Sequence, residues 1–233
     1  MKRIAIMQPY FFPYIGYFQL IQTAELFVVY DNIQYTKKGW INRNRYLLDG
    51  VDQRFSIPLK NAAEGLNVVD RQIAADFRSD KLLNRLREAY RHAPYFDCVF
   101  PMVETCVQQQ ETNLFNYIYR SLRETCDYLG IETELLISSS VPIDAGLAGQ
   151  EKVIALCQQL GAEAYINPIG GQALYAREDF RARGIELQFL KSRPYSYPQF
   201  NRAFVPWLSI IDVMMFNRVG DIKNYLSSGY ELI

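Results

Sequence analysis

The chain opens on an apolar run over residues 3–7 that Gln8-Pro9 closes, which predicts a short buried strand. Apolar groups then recur at helical spacing through residues 14–24, at Ile15, Phe18, Leu20 and Ile21. Residues 26–30, Leu-Phe-Val-Val-Tyr, are β-branched and aromatic and end at the turn signal Asp31-Asn32. That run lacks alternation, as expected of a strand covered on both faces. Strand, loop, helix and strand, with a carboxylate just past the second strand, predict a βαβ unit. Asp49-Gly50 between apolar runs at 45–48 and 53–59 predicts a hairpin. Residues 68–74 predict a further short strand.

The middle of the chain has a helical period. One helix is expected over 79–91, with Ser79 as its cap, and further helical stretches over 98–109 and 112–129. Thr112 is the expected cap of the last, and Gly130 its stop. A strand over 133–138 and a Ser/Pro/Asp/Gly loop follow. The last third alternates again: helix 149–160, strand 164–166 closing on Asn167-Pro168, a short helix 177–183, and strand 185–190. A Pro/Tyr loop over 191–203 precedes a helical stretch, 208–226, broken near Gly220. The parallel strands therefore come from both ends of the chain. The prediction is one α/β domain over residues 1–233. It has a Rossmann-like, mainly parallel sheet flanked by helices, a helical insertion over roughly 77–130 and a small β-hairpin region.

Composition narrows the function classes. The 25 basic residues balance 25 acidic ones, so the chain offers no electrostatic case for binding duplex nucleic acid. Gln8, Pro9, Pro13 and Gly16 interrupt the apolar opening too early for a membrane span or a signal peptide, so no membrane insertion and a cytoplasmic location are expected. Cys98, Cys106, Cys126 and Cys157 lack metal-ligand spacing and fall on helices beside apolar neighbours, the pattern of buried thiols. A single histidine, His92, cannot build a multi-histidine zinc site, and no metal is expected. Gly-x-Ser-x-Gly, His-x-x-Glu-His and Cys-x-x-Cys are all absent.

Ligands of open α/β sheets bind at the carboxyl ends of strands, so the residues after each strand carry the candidate chemistry. After the first come Gln8, Tyr10, Gly16 and Tyr17, in a loop stiffened by two prolines whose aromatics a ligand would cover. After the second comes a donor-rich stretch. In it Lys37, Arg43 and Arg45 suit phosphate or carboxylate, Asp31 and Gln34 a hydroxyl or amine, and Trp40 a sugar or base; Asn44 lies among them. Asn167, Gly170, Gly171 and Tyr175 follow the 164–166 strand, where paired glycines leave backbone amides open to an anion. Lys191-Ser192-Arg193-Pro194-Tyr195 adds another basic, aromatic loop. His92, at a helix end, has the reference pKa of a general base.

Four segments together resemble the WbqC-like family of bacterial proteins. They are Met7-Gln8-Pro9-Tyr10-Phe11-Phe12-Pro13-Tyr14-Ile15-Gly16-Tyr17-Phe18; Asp31-Asn32-Ile33-Gln34-Tyr35 with Trp40-Ile41-Asn42-Arg43-Asn44-Arg45; Asn167-Pro168-Ile169-Gly170-Gly171-Gln172-Ala173-Leu174-Tyr175; and Leu208-Ser209-Ile210-Ile211-Asp212. They stand in order over almost the whole chain. The resemblance implies a role in O-antigen or capsule polysaccharide biosynthesis. The implied activity is a transferase attaching an acyl or aminoacyl group, such as glycyl, to an amino sugar carried on a nucleotide. The expected partner is that small nucleotide-linked sugar, the cosubstrate an acyl or aminoacyl donor, and the candidate general bases are Asp31 and His92.

A second likeness concerns fold. The opening strand, Pro-containing loop, Gly-Tyr, helix and Ala24-Glu25-Leu26-Phe27-Val28-Val29 look like the start of HUP-type nucleotidyltransferases. Those enzymes carry Gly-His at the helix start, with the histidine on phosphate. Here the pair is Gly16-Tyr17, and a phenol is a poor substitute for a cation. Nucleotidyl transfer and non-catalytic binding of a sugar nucleotide are the alternative functions.

Overall fold

The computed structural model describes residues 1–200 and 202–233. The chain runs through β1 (Arg3–Met7), α1 (Ile15–Thr23), β2 (Leu26–Val29), the hairpin β3 (Arg43–Leu48) and β4 (Val51–Ser56), and helices α2 (Ser79–Tyr90), α3 (Phe96–Val107) and α4 (Leu114–Leu129). It continues as β5 (Glu134–Ile137), α5 (Gly149–Gln159), β6 (Ala164–Pro168), α6 (Arg177–Arg181), β7 (Glu186–Ser192), α7 (Ile210–Phe216), α8 (Val219–Ser228) and β8 (Tyr230–Leu232). The six-stranded sheet has the order β5-β2-β1-β6-β7-β8, all parallel except β8, which lies antiparallel to β7. This is the Rossmann-like, helix-flanked sheet that the alternating pattern predicts.

Strand side chains alternate between faces, so each central strand feeds two cores. Ala5, Phe27, Val29 and Ile166 join a core with α1, the hairpin, α2 to α4, α7 and α8. Ile4, Ile6, Leu26, Val28, Tyr165, Leu187 and Phe189 join the other, with Val153, Leu156 and Cys157 of α5 and Phe180 of α6. Every residue of β2 is buried, which accounts for its unbroken apolar run. Cys106, Cys126 and Cys157 are buried, and burial pushes their thiols up to about 12, so they pack as inert apolar groups; Cys98 is instead exposed. No helix among the described residues is long and apolar enough to cross a membrane.

Local details depart from expectation where a single residue decides. Residues 68–74 form no strand: Val68–Asp70 is a 3-10 turn, and only isolated bridges follow, Gln72 to Asn113 and Leu59 to Ile73. Ser79 is the first helical residue of α2 rather than its cap. The cap of α4 is Asn113, whose side chain accepts from Asn116 N at 3.1 Å, in place of Thr112. The last helical stretch breaks at Asn217-Arg218, and Gly220 lies inside α8. Strand β8 was hidden by its brevity.

The hairpin turn is two residues long, with Asp49 at φ 54° and Gly50 at φ 84°. Two left-handed residues are what a type I′ turn demands. Gly50→Ala is expected to lower the unfolding free energy by about 1–2 kcal/mol, measured by urea denaturation.

Candidate functional site

From β1 the chain builds β2 and β5 on one side, then crosses to build β6 and β7 on the other. The strand order reverses between β1 and β6, and a crevice opens outside the carboxyl ends of strands at such a point. A cleft of about 800 Å³ lies there. Gln8, Tyr10 and Tyr14 line it from the loop after β1, Tyr30 and Ile33 after β2, and Trp40 and Arg45 at the hairpin. Asn167 lines it near the end of β6, Gly170, Gly171, Leu174 and Tyr175 after that strand, and Lys191 and Ser192 at the end of β7. Trp207, just before α7, completes the mouth.

The loop after β1 is rigidly held. Phe11 and Phe12 are fully buried, so these two aromatics anchor the loop in the core and need no ligand to cover them. Phe12 has φ 42°, a left-handed backbone that a non-glycine residue adopts only when its surroundings impose it. Its carbonyl accepts from Asn44 Nδ2 at 2.5 Å and Ser209 Oγ at 2.8 Å. Phe11 N donates to Ile41 O at 2.9 Å, and Ile210 N donates to Pro13 O at 2.8 Å. Tyr17 is buried in α1, and its hydroxyl donates to Gln8 O at 3.0 Å. Asn44 and Tyr17 therefore shape the loop from behind. Tyr17 does not line the cleft, where a nucleotidyltransferase of the HUP type would place its histidine. A Cβ on Gly16 would lie 2.3 Å from the Tyr14 ring and 2.5 Å from Ser192 Oγ. The glycine is needed for contact between the loop and the end of β7.

The lining carries two cations, Arg45 and Lys191, and no carboxylate. Arg45 pairs with Asp52 at 3.0 Å and donates to Trp207 O at 3.0 Å. Guanidiniums of Arg43, Arg45 and Arg54 lie 5.8, 5.9 and 5.8 Å from the Trp40 ring centroid. Arg43 also donates to Gly39 O at 2.6 Å and Lys37 O at 2.8 Å, which fixes the turn that presents Trp40. Burial raises the pKa of Tyr10, Tyr14, Tyr30 and Tyr175, that of Tyr30 to about 12. These phenols stay protonated near neutrality and offer ring faces and hydrogen-bond donors, not bases.

The remaining sequence candidates lie off the cleft. Gln34 is exposed and bridges to Asn67. Lys37 is exposed and pairs with Glu64 at 3.7 Å. Asp31 is buried: Oδ1 accepts from Ser138 Oγ at 2.7 Å and Ser139 N at 2.9 Å, tying the end of β2 to that of β5, while Oδ2 has no partner among the described residues. His92 follows α2 at the surface and is outside the lining. Lys152, whose pKa burial lowers, sits 5.0 Å from the centre of the Tyr30 ring and donates to Asn32 O at 2.9 Å. No group of three or more metal-ligating side chains occurs among the described residues.

Residues 8–224 match the model of the WbqC-like protein family. The chain belongs to that family. It is 30% identical over 232 residues to the uncharacterized protein Rv1507c of Mycobacterium tuberculosis, covering 97% of this chain and 98% of that protein. No solved structure matches it significantly. The WbqC-like span begins at Gln8, the first loop residue of the cleft, and of the lining only Ile6 and Met7 precede it. Sequence reading did not single out Tyr14, Tyr30 or Trp207. Tyr30 ends an apolar strand and Tyr14 sits at a helix start, both positions at a strand-end loop. Trp207 follows a long loop and gives no local signal; Arg45 and Ser209 bring it in, through Arg45's bond to Trp207 O and Ser209 N's bond to Arg45 O.

Proposed function

We propose that this chain binds a nucleotide-linked amino sugar in the switch-point cleft and attaches an acyl or aminoacyl group to the sugar amine, in assembly of a bacterial surface polysaccharide. The lining carries the reading: six aromatic side chains and two cations, without a carboxylate, around about 800 Å³. A volume of that size suits a ligand as large as a sugar nucleotide. Aromatic faces suit a base and a sugar ring, and Arg45 and Lys191 suit a diphosphate. Membership of the WbqC-like family supports the polysaccharide setting.

In this reading the neutral amine attacks the carbonyl carbon of an acyl thioester or aminoacyl ester. An amide C–N bond forms, the C–S or C–O bond breaks, and the amine proton ends on the departing thiolate or alkoxide. No covalent enzyme intermediate is needed, and holding the two reactants together supplies the rate. Asp31 and His92 lie outside the lining, so the reading gives neither the base role.

Incubation with amino-sugar nucleotides and acyl-thioester or aminoacyl-ester donors is expected to give an acylated sugar nucleotide by mass spectrometry. Binding without product across the donor panel would favour a second reading, a non-catalytic sugar-nucleotide-binding protein. The lack of any carboxylate or imidazole in the lining is the observation on that side. Failure to bind any sugar nucleotide would overturn both.

A further inference from the structure

Several donors of the cleft lining have no protein acceptor among the described residues, and the amide of Asn167 is the one on a buried polar residue. Asn167, near the end of β6, is only 5% exposed yet lines the cleft. Its Oδ1 accepts from the Tyr165 hydroxyl at 3.3 Å. The two residues share a strand face, as positions i and i+2 must. With Oδ1 turned to Tyr165, Nδ2 points away, and it donates to no group among the described residues. Nor is Nδ2 sealed in the core, since it is not among the buried atoms left without a partner. It opens onto the cleft.

Gly171 leaves the space that the amide occupies. A Cβ at this position would lie 2.0 Å from Asn167 Nδ2. Gly171 does not have a left-handed backbone, unlike Gly50 or Gly130. The backbone conformation would therefore accept alanine; the space taken by the Asn167 amide would not. An amide donor on a buried side chain, open to the cleft and without a protein acceptor, is available to an acceptor on a bound molecule.

We propose that Asn167 is the ligand-reading donor of this cleft, taking a phosphate oxygen of the bound nucleotide, with Tyr165 and Gly171 as positioning residues. The proposal rests on the sugar-nucleotide reading and deepens it. Phosphate is favoured over a neutral oxygen because Lys191 brings the lining a positive charge with no ion pair among the described residues, and Arg45, though paired with Asp52, adds guanidinium donors at the rim. The amide would fix the orientation of a group that the cations attract.

The test is a titration of intrinsic tryptophan emission with pyrophosphate, with the uridine, thymidine, cytidine and guanosine diphosphates, and with UDP-N-acetylglucosamine. Asn167→Asp removes the donor and adds a like charge, and is expected to weaken every binding probe by about 10- to 100-fold. Gly171→Ala, at a half-buried loop position, is expected to lose about tenfold by displacing the amide while its thermal midpoint holds. Tyr165→Phe frees the amide to turn and is expected to lose less. Wild-type affinity in both Asn167→Asp and Gly171→Ala would overturn the proposal while leaving nucleotide binding intact. Should wild type bind pyrophosphate but no nucleotide, with Asn167→Asp losing it, the sugar-nucleotide reading falls and the Asn167 assignment stands. Binding of no probe by wild type would overturn both. If Asn167→Asp fails to fold, Gly171→Ala decides.

Discussion

Asp212→Ala is expected to cost about 3 kcal/mol of stability near pH 7 and to loosen the mouth of the cleft. Asp212 is fully buried at the start of α7 and accepts three hydrogen bonds: Tyr197 hydroxyl at 2.6 Å, Gln199 Nε2 at 2.7 Å and Tyr90 hydroxyl at 2.9 Å. The Tyr90 hydroxyl in turn accepts from Leu47 N at 3.0 Å, in β3. Gln199 Oε1 accepts from Val205 N at 2.7 Å, two residues before Trp207. One carboxylate thus joins α2, β3, α7 and the segment that carries Trp207. Alanine strands three buried donors, and each unsatisfied donor is destabilising by about 1–3 kcal/mol before relaxation.

The same residue gives stability a pH dependence. Burial raises the Asp212 carboxyl from its ordinary 3.8 to about 6, against the lowering by its hydrogen bonds from Tyr197, Gln199 and Tyr90. The folded state therefore binds this proton more tightly than the unfolded chain. Its contribution is most favourable below pH 4, declines as pH rises towards 6, and is flat above that, a change on the order of 3 kcal/mol. Asp212→Asn keeps the shape without the charge. The stability of wild type relative to Asp212→Asn, from urea unfolding at pH 4 to 7, is expected to fall over that window. Parallel profiles for the two proteins would refute the raised pKa.

This network also marks the limit of what the sequence makes legible. The sheet was readable because its strands are short, apolar and bounded by Pro, Gly, Asn or Asp, as at Gln8-Pro9, Asp31-Asn32 and Asn167-Pro168. Strand ends in turn located three walls of the cleft. What joins those walls is long-range: Asn44 to Phe12 O, Ser209 to Phe12 O and Asp212 to Tyr90 are separated by 32, 197 and 122 positions. No local pattern encodes such pairs. For the same reason Asn44 and Arg43 read as ligand donors from composition, whereas the fold spends their hydrogen bonds on the loops at Phe12 and Gly39. Lys37 looked equally suited to phosphate, but the hairpin entry turns it outward to Glu64. Polarity announced that the segment was polar; only the tertiary structure sorted its cations into those that face the cleft and those that support it.

Arg45→Ala is expected to weaken sugar-nucleotide affinity by about 100- to 1,000-fold, the sum of a lost charge-assisted contact and a lost stacking face. Arg45 is the residue on which the rim converges. It holds Trp207 O, stands beside the Trp40 ring and is itself oriented by Asp52. Trp207 has φ 58° and is 47% exposed, an arrangement that a tryptophan keeps only under restraint. Its ring meets Tyr14 edge-on at 6.0 Å, while Trp40 lies 6.5 Å from Tyr10, so the two indoles flank the two loop tyrosines. Arg45→Lys separates the two contributions. It keeps the charge but loses the planar fork that reaches Asp52 and Trp207 O together. The lysine variant is expected to recover less than half of the lost binding energy, and the Trp207→Ala variant to show little further loss in an Arg45→Ala background. The chain has two tryptophans, and both line this cleft, so intrinsic emission reports its occupancy directly. Full recovery by lysine, or additive losses in the double variant, would mean that Arg45 acts on the ligand by charge alone and that Trp207 is held by other contacts.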